Sequence, residues 1–299
     1  MAVIYIFIVL GFIFKRKFGA DINEKSFVLL NLYILQPILI FWGLTRAPFD
    51  LDFILSPIIF YIAVFSTLII AVFYAKNFIK NKQDKSIFLA SSMVGNTGNL
   101  GIPLGIALFG LQSVPYTSIL NLANMFFIYI FSVYFFAGDK FSFKDALMEI
   151  FKIPAIWAAI AAILFNLSHF TMSADFDKVF TMGAYAAIVM QLTLFGIFIS
   201  QVKIKSANYK LSFNIVLFKH IILPLVGLVV ILYVEIDPLI GGIIFLELMV
   251  PLAVNNVNLA ALYECKPIDT TVAVIISSLS FILLMYLYIS TINTYFGVQ

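Results

Sequence analysis

Ten long apolar runs, separated by short charged or turn-rich segments, dominate this 299-residue sequence. Apolar residues make up 63% of the chain and charged residues only 11%, whereas soluble domains carry about 25% charged residues. A helix that spans a bilayer needs about 17–25 mainly apolar residues. The pattern predicts an all-α integral membrane protein with ten transmembrane helices, and the runs lie near 1–14, 26–45, 53–75, 86–110, 114–137, 150–169, 179–202, 211–234, 239–263 and 268–293.

Basic residues concentrate in alternate connections between the runs. Cytoplasmic loops are rich in Lys and Arg, so we predict a protein of the plasma (cytoplasmic) membrane with both termini outside. The net charge of +3 then reflects topology and does not indicate a nucleic-acid partner. The chain has a single cysteine, Cys265, which excludes an internal disulfide. With the N-terminus outside, the inner connections hold 15 of the 18 basic residues, namely Lys15, Arg16, Lys17, Lys25, Lys76, Lys80, Lys82, Lys85, Lys140, Lys144, Lys152, Lys203, Lys205, Lys210 and Lys266.

The two halves of the chain resemble each other weakly. The second run reads YILQPILIFWGLT and the seventh VMQLTLFGIFIS, with Gln36 and Gln191 in matching places. The fourth and ninth runs are both interrupted and rich in asparagine, GNTGNLGIP against VPLAVNNVN. Because each half contains an odd number of spans, the halves must have opposite orientations. We therefore predict two inverted five-helix repeats, an arrangement typical of secondary transporters.

The fourth and ninth runs contain residues that break a helix. Asn96 lies ten residues into the fourth run, about 15 Å deep at 1.5 Å per residue, in the middle of a hydrocarbon core about 30 Å thick. Pro251 lies about 18 Å into the ninth run by the same rise, and that run enters from the opposite side. Irregular backbone at this depth requires surrounding protein or a water-filled cavity. We predict broken, crossed helices 4 and 9.

The two breaks bring neutral polar side chains together. Half-helix N-termini add N–H groups and positive partial charge, which suits an anionic substrate. The glycine spacing of the fourth run also suits tight helix packing, and the two asparagines of the fifth run also suit contacts between helices. The predicted substrate-binding residues are Asn96, Thr97, Asn99, Pro103, Asn121, Asn124, Pro251, Asn255, Asn256 and Asn258.

Three ionisable residues fall inside the apolar runs: Lys219, His220 and Glu247. Charges within a membrane are costly and are functional candidates by default. Lys219 and Glu247 each lie about 12 Å deep, so they form either a structural ion pair or a coupling system. In the second interpretation Lys219 attracts the anion, and Glu247 or His220 takes up a proton. The sequence offers no metal-ligand cluster and no nucleophile with a base, so we predict neither a cofactor nor an enzyme.

The interrupted runs carry a family resemblance. GNTGNLGIPLGIALFG is similar to the fourth-span motif of the auxin efflux carrier family, and MVPLAVNNVNLAALYECKP resembles that family's ninth span. The plant members often have a long hydrophilic central loop, whereas this chain has only about residues 138–149 there. The chain is therefore identified as a compact microbial member.

The resemblance implies transport of organic anions, such as auxin-like acids or small mono- and dicarboxylates, by an elevator-type movement. It also implies a scaffold part at about 1–50 and 150–202, a transport part at about 53–137 and 211–293, and a homodimer. Two alternatives stay open: a sodium-coupled symporter of the bile-acid symporter type, and a membrane receptor or sensor without flux.

Overall fold

The computed structural model describes residues 2–19, 21–168, 170–200 and 208–297, so Lys203 and Lys205 lie outside the described residues. Within these ranges the chain forms helices joined by short turns. In chain order the helices are α1 (Ala2–Phe18), α2 (Glu24–Leu44), α3 (Leu51–Phe78), α4 (Lys82–Ser91), α5 (Thr97–Phe109), α6 (Leu111–Lys140), α7 (Phe143–Phe151), α8 (Pro154–Leu167), α9 (Ala174–Ser200), α10 (Tyr209–Tyr233), α11 (Pro238–Met249), α12 (Asn255–Leu262) and α13 (Pro267–Phe296).

Six helices in the described part of the chain are long and apolar enough to cross a bilayer: α2, α3, α6, α9, α10 and α13. The pair α7 and α8, bent by 67°, adds a seventh span if it is counted as one. These helices agree with the predicted all-α membrane class. The fourth predicted run is divided into α4 and α5, and the ninth into α11 and α12. The count of ten spans and the inverted repeat stay predictions.

Polar residues at the ends of the apolar runs start the helices. The Asp50 side chain accepts a hydrogen bond from the N–H of Phe53 at 2.8 Å and caps α3. Asn81 caps α4 in the same way, and Asp237 caps α11 through the N–H of Leu239 at 2.9 Å. Such caps satisfy N–H groups that have no partner within the helix. The sequence therefore sets these helix starts locally.

Three prolines widen the helical turn that precedes them. A proline lacks an N–H group, and its ring crowds the carbonyl four residues earlier. In α2, α5 and α10 the residue before the proline bonds instead to the carbonyl five residues earlier, which makes a π-type turn. π-type turns occur frequently at functional sites. The prolines are Pro37, Pro103 and Pro224, and the corresponding bonds run from Gln36 to Asn31, Ile102 to Thr97, and Leu223 to Phe218.

The helices pack in two groups. In one group α9 packs against α1 and α2, and α2 packs against α8. In the other, α10 packs against α3 and α13, while α11 packs against α3, α6, α10 and α13. Gly196 of α9 lies so close to α1 that a side chain there would collide with the backbone carbonyl of Ile8. The α1–α9 contact therefore depends on glycine.

A polar cluster ties α4, α10 and α13 together at one end of the second group. Lys266 Nζ lies 2.5 Å from Asp84 Oδ1, and Asn208 Nδ2 donates to Asp84 Oδ2 at 2.9 Å. The backbone N–H of Asn208 donates to Asp269 at 2.9 Å. Cys265 lies beside this cluster, and burial raises the pKa of its thiol.

Candidate functional site

The two helix breaks cross and are hydrogen-bonded to each other. The first break lies at 92–96, between α4 and α5, and the second at 250–254, between α11 and α12. Gly95 and Leu252 form an antiparallel β-bridge, and the N–H of Asn96 donates to the Pro251 carbonyl at 2.7 Å. Unwound backbone inside a membrane needs such partners, because water is scarce there. The contact joins residues that are more than 150 positions apart in sequence.

Asn124 of α6 holds the first break in place. Its side-chain amide donates to the Gly95 carbonyl at 2.8 Å and accepts from the Gly95 N–H at 3.3 Å. The same Nδ2 also donates to Thr97 Oγ1 at 3.0 Å, and the Thr97 hydroxyl donates to Asn121 Oδ1 at 2.9 Å. The amide therefore satisfies both backbone polar groups of Gly95, much as a neighbouring β-strand would.

A cavity of about 440 Å³ lies against the crossing, between the first break, α2, α6, α9 and the start of α12. Its wall combines amide side chains with apolar residues such as Leu194 and Phe198 of α9. Seven of the ten predicted substrate-binding residues line it. They are Asn96, Thr97, Asn99, Asn121, Asn124, Asn255 and Asn258.

The other three predicted binding residues lie outside the cavity wall. Pro103 follows the π-type turn of α5, and Pro251 contributes its carbonyl to the crossing. Asn256 is fully buried, and neither polar atom of its side chain has a hydrogen-bond partner among the described residues. The two prolines therefore shape the breaks and do not touch the cavity.

Two amide atoms in the cavity wall have no partner in the described part of the chain. One is Nδ2 of Asn96, a donor, and the other is Oδ1 of Asn31, an acceptor. Buried polar groups are normally hydrogen-bonded, and an unsatisfied one calls for a water, an ion or a ligand. Both residues line the cavity, so a small rotation of either side chain would present its unpaired atom to a bound molecule.

One face of α2 forms the opposite wall, which the sequence interpretation missed. The lining residues of α2 include Lys25, Val28, Leu32 and Gln36, at the three- and four-residue spacing of one helix face, with Asn31 beside Leu32. Lys25 is exposed at the mouth of the cavity. Glu24 beside it pairs with Lys15. The polar residues that recur along this face of α2 were the sequence feature that could have predicted this wall.

Lys219 reaches the crossing from the π-type turn of α10. Its ammonium donates to the Leu248 carbonyl, in the last turn of α11, at 2.9 Å, and the side chain is 1% exposed. Glu247 is fully buried, and neither carboxylate oxygen has a hydrogen-bond partner among the described residues. Lys219 therefore does not donate to Glu247, and the direct ion pair considered from sequence is absent from this arrangement of the described residues. Neither residue lines the cavity.

His220 belongs to a hydrogen-bonded network that supports the second break. Its Nε2 lies 2.8 Å from Ser277 Oγ, which accepts the N–H of Leu252 at 2.9 Å. Its Nδ1 lies 3.0 Å from the Tyr288 hydroxyl, and that hydroxyl donates to the His220 carbonyl at 2.9 Å. Every group is satisfied if Nδ1 carries the proton, a tautomer that we assign from these partners. This arrangement fits a neutral histidine.

These features define a polytopic helical membrane protein of the transporter class, with two broken helices crossing beside a polar cavity. The chain belongs to the membrane transport protein family, the family of the auxin efflux carriers, whose model matches residues 1–289. It is also similar to an uncharacterized transporter of Methanocaldococcus jannaschii, with 23% identity over 278 residues, which is 88% of each chain. The family predicted from the two interrupted runs is therefore confirmed.

Proposed function

We propose that this protein carries small organic anions across the membrane and binds them in the cavity at the crossing. The observation that carries the proposal is the amide-lined wall, where the Asn96 Nδ2 donor is buried without a partner among the described residues. The first turns of α5 and α12 begin at this wall and contribute the positive ends of two helix dipoles. Lys25 at the mouth adds a positive charge that attracts anions.

The mixed lining favours an organic anion over an inorganic one. A carboxylate fits the asparagine donors of the crossing, while an apolar group fits Leu194, Phe198 and Leu259 on the other walls. Auxin-like acids and small mono- or dicarboxylates have this chemistry. The cavity of about 440 Å³ falls within the size range of small-molecule sites.

The proposal includes ten spans in two inverted repeats and an elevator-type movement. The packing of the described helices supports it, because α9 contacts α1 and α2, and α2 contacts α8, while α3, α6, α10, α11 and α13 form the second group; the groups meet where α2 contacts α6 and α9 contacts α5. The first group corresponds to the scaffold part and the second to the transport part. A homodimer joined through the scaffold completes the proposal. In the predicted orientation, with both termini outside, the cavity mouth at Lys25 faces the cytoplasm.

A flux experiment tests the proposal. Purified protein is reconstituted into liposomes, and uptake of radiolabelled indole-3-acetate, benzoate and malate is compared with protein-free liposomes. Binding is measured in parallel from thermal stabilisation, because a ligand of the folded state raises apparent stability. Flux supports the transporter, whereas binding of all three without flux indicates a receptor. Uptake that disappears when sodium is replaced by choline indicates the sodium-coupled alternative.

Two substitutions locate the site. Asn96→Ala and Asn255→Ala remove amides from the two breaks, and each is expected to abolish stabilisation by the anions while leaving expression nearly unchanged. Asn77→Ala is the matched control, because Asn77 is an exposed amide on α3 that donates to the Phe73 carbonyl and does not line the cavity. Anion affinity equal to wild type in both cavity variants would reject the assignment.

A further inference from the structure

Two buried charged side chains lie at the crossing without lining the cavity. Lys219 and Glu247 are 1% and 0% exposed. The Lys219 ammonium binds the Leu248 carbonyl near the C-terminal end of α11. That end of a helix carries negative partial charge, which offsets part of the cost that burial imposes on the charged form of lysine. In its charged form Lys219 places a positive charge at the crossing.

Glycines separate these charges from the cavity. Lys219 Nζ lies 3.1 Å from the position that a Cβ atom on Gly95 would occupy, and Gly95 lines the cavity. The Glu247 carboxylate occupies the space that a side chain on Gly101 would fill, and Gly98, nearly one turn earlier, lines the cavity. An anion bound against Gly95 is therefore separated from the Lys219 ammonium by the Gly95 backbone. The two charges attract each other electrostatically without a direct contact.

The Glu247 carboxylate has little to stabilise its charge except Lys219. Both of its oxygens are buried without a hydrogen-bond partner among the described residues. A buried charge without hydrogen bonds is costly unless an opposite charge balances it. An anion that enters beside Gly95 competes with Glu247 for the one positive charge of Lys219. Anion binding and ionisation of Glu247 therefore oppose each other.

We propose that Glu247 is the proton site of an anion–proton symporter and that Lys219 links the two binding events. The inference rests on the proposed function, because it requires an anion in the cavity. When the cavity is empty, the charges of Lys219 and Glu247 cancel. When a monoanion enters, one proton from the bulk solution, relayed by cavity water, passes the Thr97–Gly101 turn and forms an O–H bond on Glu247. The crossing is then neutral again, and the proton and the anion both leave on the opposite side.

With Lys219 and Glu247 both charged when the cavity is empty, the charge count couples the proton to the anion. The empty crossing and the crossing loaded with one monoanion and one proton have the same net charge of zero. A crossing loaded with only one of the two carries an unbalanced unit charge in a site shielded from water. Such a charge is expensive to move through a membrane. Only the two forms of the crossing with zero net charge move readily between the two sides of the membrane, so one proton accompanies each monoanion.

The other titratable groups on the helices that pack against α11 do not replace Glu247. Lys219 is the charged group that acts on it, α5 carries no titratable residue, and His220 is held by Ser277 and Tyr288. The remaining groups on those helices are tyrosines or lie near helix ends. They are Asp52, Tyr61, Tyr74, Lys76, Tyr116, Tyr129, Tyr134, Asp139, Lys140, Tyr209, Lys210, Tyr233, Asp269, Tyr286, Tyr288 and Tyr295.

Proton uptake on anion binding tests the inference. Indole-3-acetate and benzoate are titrated into the purified protein at pH 8 by calorimetry, in two buffers that differ in ionisation enthalpy. Wild type is expected to take up close to one proton per anion, and its affinity to fall about tenfold per pH unit above that pH. Glu247→Gln resembles the protonated side chain, so it is expected to bind the anion with no proton uptake and no pH dependence.

Two further variants sharpen the test. Glu235→Gln is the matched control, because Glu235 is an exposed carboxylate in the turn before α11, and it is expected to behave as wild type. Lys219→Met removes the linking charge and is expected to weaken anion binding at least tenfold. Binding by wild type without proton uptake overturns the inference and leaves the proposed function standing, and this measurement needs no variant. Failure of both anions to bind, here and in the stability screen, overturns the proposed function and the inference with it.

Discussion

The hydrogen bonds between the Asn124 side chain and the Gly95 backbone give a quantitative prediction. Replacing Asn124 with leucine keeps a similar shape but removes three hydrogen bonds, of 2.8, 3.0 and 3.3 Å. Two of them serve the N–H and the carbonyl of Gly95. Hydrogen bonds between membrane helices contribute about 0.6 kcal/mol each on average, and bonds in soluble proteins up to about 1.5 kcal/mol. We expect Asn124→Leu to lower the free energy of unfolding by about 2–4 kcal/mol.

The assay is thermal unfolding of the purified protein in detergent, followed by intrinsic fluorescence. A loss of about 2 kcal/mol corresponds to a fall in apparent Tm of roughly 4–8 °C. Asn121→Leu is the matched control, because Asn121 lies on the same helix and bonds to the Thr97 side chain but not to the backbone of the break. We expect the control to lose less than half as much stability.

Two results would refute this reasoning. An Asn124→Leu protein that melts within about 1 °C of wild type would mean that the hydrogen bonds at Gly95 contribute little. An equal loss in Asn121→Leu would mean that polarity in α6, and not support of the broken backbone, determines stability. Either outcome would remove the argument that side-chain amides replace a strand partner at the crossing.

Three further predictions follow from the topology and the helix contacts. A cysteine introduced at Lys82 should react only with a reagent added to the cytoplasmic side, and one at Asp175 only with a reagent added outside; reversed labelling would overturn the orientation. Gly196→Ala should destabilise by about 1–3 kcal/mol, because its new methyl group meets a backbone carbonyl of α1. Gly183→Ala on the same helix should cost less, because it meets only a side-chain methyl group. Asp84→Asn should cost about 1 kcal/mol or less, and its effect measured by thermal unfolding should shrink in 1 M salt, because the ion pair is partly exposed.

Local chemistry in the sequence predicted where the helices break. Glycine and asparagine around Asn96, and proline at Pro251, disfavour a continuous helix, and the structure ends α4 and α11 within a few residues of these positions. Seven of the ten predicted binding residues line one cavity, because the two breaks meet.

The direction in which a side chain points could not be predicted in the same way. Depth arithmetic brought Lys219 and Glu247 to within about 6 Å of each other along the membrane normal, but it fixed neither the rotation of α10 nor that of α11. The π-type turn at Phe218–Ile222, before Pro224, shifts the helical phase where Lys219 lies. The lysine consequently meets the Leu248 carbonyl and not the carboxylate.

The wall supplied by α2 was missed because it contains no conspicuous motif. Asn31 and Lys25 look like ordinary polar residues near the end of an apolar run. Their role appears only when α2 lies across the cavity from the crossing, and that arrangement depends on tertiary packing. Residues that act by facing a motif are harder to recognise than the motif itself.

The backbone hydrogen bond between Asn96 and Pro251 has a consequence for energetics. It fastens the two broken helices to each other, so polar groups from distant parts of the chain keep their spacing. In the proposed alternating movement, a bound molecule would keep the donors of the crossing at both faces of the membrane, and only its contacts with α2 and α9 would change. A difference in affinity between the two sides would then come from those two helices and not from the crossing.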